Sequence, residues 1–249
     1  MHTHLYSLPS AVETPEQELD APVPPIEAVL FDFANTLFRM VPTDVFLQRV
    51  WQSAGRDVSD LDIESVLREV QAAALLPHVQ AAQLGRDLTV ERHWEATRVW
   101  FGEVPQLAEI FEVAYEAILA KENWFAYTDT APVLLELARR GIPVGVVSNI
   151  VWDVRREVEA AGAGDAVGAY ALSYQMNCEK PDPRIFLKAC ADLGADPRRT
   201  LMVGDNPAQD GGAVTCGLRA LILPSEPRTG ERGLGSVLRL LADGPSETP

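Results

Sequence analysis

Four short stretches carry groups that could do chemistry together. They are Asp32, at the end of the apolar run Ala28-Val29-Leu30-Phe31; Ser148-Asn149, after Val144-Gly145-Val146-Val147; Lys180-Pro181-Asp182; and Gly204-Asp205 with Asp210. A short apolar run bounded by turn residues reads as a buried strand. In an open α/β sheet, groups at or near the carboxyl ends of strands lie side by side, however far apart they are in sequence. One site could then hold two or three acids, one lysine and one small hydroxyl. Asp32 and Asp205 brought close together repel unless a cation sits between them. A few hard oxygen donors suit Mg²⁺, which keeps waters and works beside substrate phosphates. Lys180 adds a second positive group, and Ser148 with the amide of Asn149 can donate to a phosphoryl oxygen. Asp32 can then serve as a nucleophile, as carboxylates do in aspartyl-phosphate chemistry. Metal and lysine would stabilise charge on the transferring group.

Each stretch also has a plain structural meaning. An Asp after a strand often caps a helix or makes a turn. Ser-Asn is a common turn, and Asp182-Pro183 can simply start a helix. Asp210 could cap or solvate its own helix. The order of the four, each tied to a strand end or an adjacent loop, favours a shared site over coincidence.

The elements that must position these groups follow from the pattern. A first strand spans about Ile26 to Asp32. From about Val45 to Asn123 the spacing is helical: Ile63, Val66, Leu67, Val70 and Ala74 form one stripe, and Val90, Trp94, Thr97 and Phe101 another. Pro105 opens a third long helix with Leu107, Ile110, Phe111, Ala114 and Ile118 on one face. Helices and strands then alternate: helix 130–140, strand 143–148, helix 153–161, strand 167–173, helix 183–193, strand 200–204, helix 208–216, strand 218–223 and helix 233–241. That alternation predicts a doubly wound parallel α/β sheet with helices on both faces. The expected organisation is a core domain of residues 26–44 and 124–243, a helical cap domain of residues 45–123, and loose tails at residues 1–25 and 244–249. His2 and His4 in the first tail read as incidental.

The chain has 249 residues, 47% of them apolar, enough to bury a full core. Its net charge of −15, from 36 acids and 21 bases, disfavours a nucleic-acid or anionic-membrane partner. No apolar run reaches the roughly 18 residues of a membrane span, and the N-terminus does not read as a secretory signal. Cys178, Cys190 and Cys216 form no CxxC pair, which fits reduced thiols in a cytoplasmic protein. Cys178 lies near Lys180 but has no nearby histidine to activate it, so it reads as a buried or loop thiol.

FDFANTLF at 31–38, VVSN at 146–149, KPDPRIF at 180–186 and LMVGDNPAQD at 201–210 resemble the motifs of the haloacid dehalogenase superfamily. The resemblance is to its branch with a helical cap inserted after the first strand, and it spans about residues 26–224 outside the cap's own sequence. It implies Asp32 as nucleophile and Ser148 and Lys180 as phosphate-holding groups. It further implies Asp205 as Mg²⁺ ligand and Asp210 as the acid supporting the metal site. Asn177, where relatives often carry glycine, tolerates the left-handed conformation better than most residues.

The departure from the pattern is Ala34. Most phosphatases of the superfamily have Asp there, to protonate the leaving group and then activate water. Alanine keeps the backbone carbonyl that the family's metal uses and loses the proton carrier. General acid–base catalysis is typically worth about 10² to 10⁴ in rate, or roughly 3 to 5.5 kcal/mol. The reading that follows is a Mg²⁺-dependent phosphatase for a small phosphorylated metabolite, with reduced or specialised activity. One alternative is a phosphonatase-like C–P hydrolase, which also resembles this motif but needs an imine-forming lysine. Lys121 is the insert's single lysine. Another is a non-catalytic phosphate-binding regulatory protein. A dehalogenase would have no use for Asp205. The cap is expected to choose the substrate, with His78, Arg86, Arg92, His93 and Trp100 as candidates. Arg39 at the hinge is a further substrate contact, and His93 a stand-in acid by virtue of its near-neutral pKa.

Overall fold

The computed structural model of the chain describes residues 23–224 and 230–242. The expected tails lie outside these, apart from residues 23–25, as do His2 and His4. The chain starts with β1 (Ala28–Phe31) and β2 (Phe38–Met40), then passes through six helices: α1 (Thr43–Ser53), α2 (Ile63–Ala74), α3 (Pro77–Ala82), α4 (Val90–Phe101), α5 (Pro105–Ala108) and α6 (Phe111–Leu119). It returns through β3 (Trp124–Ala126), α7 (Thr130–Arg139), β4 (Val144–Ser148), α8 (Arg155–Ala160), β5 (Ala169–Leu172), α9 (Ser173–Met176), α10 (Pro183–Leu193), β6 (Thr200–Gly204), β7 (Arg219–Ile222) and α11 (Gly235–Ala242). No helix among the described residues is long and apolar enough to cross a membrane.

The five-stranded sheet is parallel, in the order β5-β4-β1-β6-β7. β1 is central, and all four of its residues are buried, as expected for a strand covered on both faces. Successive side chains of a strand point to opposite faces, and the core divides accordingly. Val29 and Phe31 pack with Val133, Leu134 and Leu137 of α7 and Val237 of α11. Leu30 packs on the other side with Ile185, Phe186 and Ala189 of α10. The cap holds a separate apolar core that includes Phe46, Leu47, Val66, Phe101, Leu107 and Phe111.

Three details depart from the sequence reading. β2 and β3 pair antiparallel, with Arg39 opposite Phe125, and form a ribbon at the base of the cap. Strands of three residues are too short to show a period. The helix expected from Pro105 is broken at Ile110, whose φ of −124° lies outside the helical range. Its stripe is nevertheless kept, with Leu107, Ile110, Phe111 and Ala114 all buried. The helix expected over 208–216 is instead a 3₁₀ turn, Asp210–Cys216. Gly211-Gly212 is a poor helix sequence, and Gly212 sits so tightly on Pro181 that a Cβ there would lie 2.4 Å from the proline's Cβ.

Candidate active site

β1, β4 and β6 deliver Asp32, Ser148 and Gly204-Asp205 to one edge of the sheet. The Asp32 backbone N–H donates to the Val203 carbonyl at 2.9 Å, which fixes the carboxylate just beyond the ladder. Lys180 reaches in from the loop before α10. Its Nζ donates to Asp32 Oδ1 and Asp210 Oδ1, both at 2.6 Å. All three residues are buried. Asp210 Oδ2 also accepts the Asn206 N–H at 2.9 Å. Gly204 makes room for this acid, since a Cβ there would fall 2.1 Å from Asp210 Oδ2. The Thr36 hydroxyl donates to Asp32 Oδ2 at 3.3 Å.

Asp32, Asp205 and Asp210 each offer an oxygen within 4.8 Å of the others. Three acids against one lysine leave the cluster short of positive charge. Burial pushes the Asp32 carboxyl up to about 6; Lys180 pulls it down, while Asp210 and Asp205 push it up. Burial also raises Asp205, with Asp210 adding to the effect. Burial disfavours the Lys180 charge, yet Asp32 and Asp210 outweigh it and hold the lysine above its ordinary value. A divalent cation would supply the missing charge. Because Asp210 already uses its two oxygens on Lys180 and Asn206, it braces the cluster. Asp32 and Asp205 are the carboxylates suited to the ion, and Ala34 lines the same cavity.

Ser148 adds an independent sign of a ligand. Its Oγ is buried and has no hydrogen-bond partner, and the residue lines the same polar cavity of about 440 Å³ as Asp32, Ala34 and Asp205. Buried hydroxyls are rarely left unpaired. Asn149 contributes differently. Its side chain brackets the Lys180 backbone, donating from Nδ2 to the carbonyl at 3.2 Å and accepting the N–H at Oδ1 at 2.8 Å. The side-chain amide is thereby committed to holding Lys180. Asn177 adopts the left-handed conformation, with φ 49°, in the turn leading to that lysine. Cys178 is buried, and burial raises its pKa, opposite to what a nucleophilic thiol needs.

The cap closes over this edge through a 3₁₀ turn, Arg86–Leu88, whose Asp87 the sequence reading did not single out. The Asp87 N–H donates to Glu179 Oε1 at 2.7 Å, and its carbonyl accepts from the Ser173 hydroxyl at 2.6 Å. Both anchors belong to the core, and Glu179 immediately precedes Lys180. The Asp87 carboxylate lies 3.3 Å from Arg86 Nε and 3.8 Å from His93 Nε2. Burial raises its pKa, against the pull of Arg86 and Lys180. Asp87 lines the polar cavity and also a second, largely apolar one of about 300 Å³. In the sequence, only the place of Asp87 between cap helices could have marked it. Arg232 was likewise missed: it is buried, and its Nε donates to the Asn35 carbonyl at 2.5 Å, steadying the turn after Asp32.

Two expectations are corrected, Arg39 as a substrate contact and His93 as a stand-in acid. Arg39 is exposed and lines neither of these cavities, because the pleat of β2 turns Phe38 inward and Arg39 out. His93 does line the apolar cavity, but it is buried, with Nδ1 3.1 Å from the Tyr115 hydroxyl. Burial, helped by Arg86, lowers its pKa to about 4, so it is neutral at pH 7 and has no imidazolium proton to give. Of the other cap candidates, Arg86 and Trp100 line the apolar cavity, and Arg86 also lines the polar one. His78 is exposed beside Glu103. Lys121 is exposed near the hinge, outside both linings.

A model of the haloacid dehalogenase-like hydrolase family matches residues 26–214. A phosphoserine phosphatase of Thermus thermophilus is 33% identical over 122 residues, and the match spans about half of each protein, 48% of both. A glyceraldehyde 3-phosphate phosphatase of Methanopyrus kandleri is 27% identical over 192 residues, covering 74% of this chain and 78% of that protein. The crystal structure of a HAD-superfamily hydrolase of subfamily IA from Geobacter sulfurreducens superposes with a TM-score of 0.62 at 18% identity, covering 87% of this chain and 96% of that one. The motif-bearing strands, their parallel order and the family match over 26–214 lead to one conclusion: this chain belongs to the haloacid dehalogenase-like hydrolases.

Proposed function

We propose that the chain is a Mg²⁺-dependent phosphatase that hydrolyses a small phosphorylated metabolite through an aspartyl-phosphate at Asp32. The observation that carries this reading is the polar cavity. The buried nucleophile Asp32, in contact with Lys180, a second acid, Asp205, and the unpartnered Ser148 hydroxyl all line it, with Asp210 buried behind them. The phosphatase names of the relatives point the same way. A reaction in a cytoplasmic setting suits the free thiols.

In this mechanism Asp32 attacks phosphorus and the ester P–O bond breaks. Ser148 Oγ and the Asn149 N–H donate to phosphoryl oxygens, and Lys180 balances charge between Asp32 and Asp210. Mg²⁺, held by Asp32, Asp205 and the Ala34 carbonyl with Asp210 in support, would neutralise the phosphoryl oxygens. The departing oxygen needs a proton that Ala34 cannot give. Asp87 is the cap's carboxylic acid among the residues lining this cavity, and its raised pKa suits a general acid. As a carboxylate, Asp87 then takes a proton from the water that attacks phosphorus and frees Asp32. A phosphonatase reading lacks its cap amine, since Lys121 is exposed outside the site.

A phosphatase screen with Mg²⁺ on wild type, Asp32→Asn and Ala34→Asp tests this. Turnover should fall by at least about 10⁴ in Asp32→Asn and rise about tenfold or more in Ala34→Asp. Phosphate binding without turnover in either wild type or Ala34→Asp would sink the reading and favour a non-catalytic phosphate-binding protein.

A further inference from the structure

We infer that the substrate's organic body is bulky and apolar, and that it occupies the apolar chamber between the cap and the sheet edge. This rests on the phosphatase reading of the adjoining polar cavity. The chamber measures about 300 Å³ and is walled by residues that include Phe46, Leu47, Trp100, Leu107, Trp124 and Trp152. It joins the polar cavity through four residues lining both: Ala34, Arg86, Asp87 and Asn149. A phosphate held by Ser148 and Lys180 therefore directs the rest of its ester past Ala34 into the chamber. About 300 Å³ is at the lower end of small-molecule sites and about twice the roughly 150 Å³ cavity that admits benzene. Two fused rings or a chain of six to eight carbons are of the right size.

The chamber's polar groups are largely committed already. Thr97 Oγ1 donates to the His93 carbonyl at 2.7 Å, Trp100 Nε1 to Val70 O at 3.0 Å and Trp124 Nε1 to Ile118 O at 2.9 Å. The Asn149 side chain is tied to Lys180 and His93 Nδ1 to Tyr115. A sugar or amino-acid body would bring in several polar groups with few partners, and each one unpaired would weaken binding roughly tenfold or more. Among the chamber's fully buried polar atoms, Trp152 Nε1 is left without a hydrogen-bond partner. A buried indole N–H normally finds one, so the fitting body carries a single acceptor on an otherwise apolar frame.

Calorimetry of the full chain with Mg²⁺ and ethyl-, butyl- and hexylphosphonate tests this without requiring turnover. Affinity should rise about threefold to fourfold per methylene, near 10² from ethyl to hexyl. The phosphonate analogue of phosphoserine should gain nothing over ethylphosphonate. Val70→Trp, from a half-buried position on α2, fills the chamber and should flatten the series. Thr43→Trp, from the exposed first turn of α1, should do the same and decides the matter if Val70→Trp does not fold. Affinity independent of chain length, or tighter binding of the phosphoserine analogue than of hexylphosphonate, overturns the assignment even in an active phosphatase. A rising series in a protein that hydrolyses no phosphate ester upholds the chamber and removes the hydrolytic reading instead.

Discussion

The carboxyl edge of the sheet and the underside of the cap face the same space with different kinds of groups. The edge contributes buried charges locked to one another: Lys180 contacts Asp32 and Asp210 at 2.6 Å each, and Gly204 yields its Cβ space to Asp210. The cap contributes one short turn carrying Arg86 and Asp87, a neutral histidine and apolar side chains. At the edge, each position depends on a charge elsewhere, so little can change without several partners changing. In the cap, what matters is the shape of the space and the position of one carboxyl. Under the proposed function, phosphoryl chemistry belongs to the sheet edge and the choice of ester to the helices.

If the edge is held together by mutual charge, removing its cation should have a large effect on stability. Lys180→Met leaves Asp32 and Asp210 buried without their shared partner. Breaking a buried pair from one side costs about 3 to 5 kcal/mol, read by urea unfolding. Asp32, already pushed up to about 6, should move higher still. A group whose folded pKa lies above its unfolded one loses stability as pH rises through the folded value. The loss should thus be greater at pH 8 than at pH 5. An equal loss at both would show that the edge is not an electrostatic unit.

The comparison is sharpened by Asp87, where the cap is assigned a chemical task. Asp87→Asn keeps the shape and backbone anchors to Glu179 and Ser173. It should lower turnover about 10²-fold on an alkyl phosphate and much less on an ester with an acidic leaving group. The wild-type rate should fall as pH rises above the raised pKa of this acid, and that limb should vanish in the variant. Adding Ala34→Asp to Asp87→Asn should restore turnover. No change in rate or pH profile would return the cap to a purely shape-selecting role.

The same contrast governs what could be read in the sequence. Asp32, Ser148 and Asp205 were legible because strand ends announce themselves as apolar runs stopped by turn residues, and the parallel sheet brings them together; Lys180 was legible from the Lys-Pro-Asp-Pro start of the following helix. Ala34 was legible as a gap in a motif. Asp87 was not, because nothing local separates a cap-turn aspartate over a cavity from one in solvent. Its placement depends on Ser173 and Glu179, more than 80 positions away. The ribbon of β2 and β3 was hidden for a similar reason: its pairing spans the whole cap. His93 was visible as a residue but not in its state, since burial decides its pKa.

That histidine gives the smallest of the expected effects and probes the cap alone. His93 is packed against Tyr115, with Arg86 and Asp87 as the charged neighbours at its edge and Glu91 on its own helix. Its folded pKa of about 4 lies below the ordinary value of 6.5. The unfolded chain therefore binds a proton there as pH falls through 6.5, while the folded chain resists until near 4. Stability contributed by the neutral ring is complete above 6.5 and is lost on the way down to 4. By pH 5 the loss should be about 2 kcal/mol. In His93→Gln this part of the pH dependence should disappear from urea unfolding curves taken between pH 7 and pH 5. The Lys180→Met curve bends in the opposite direction, toward high pH, so the two variants separate the cap's desolvated histidine from the edge's paired carboxylates in a single titration series.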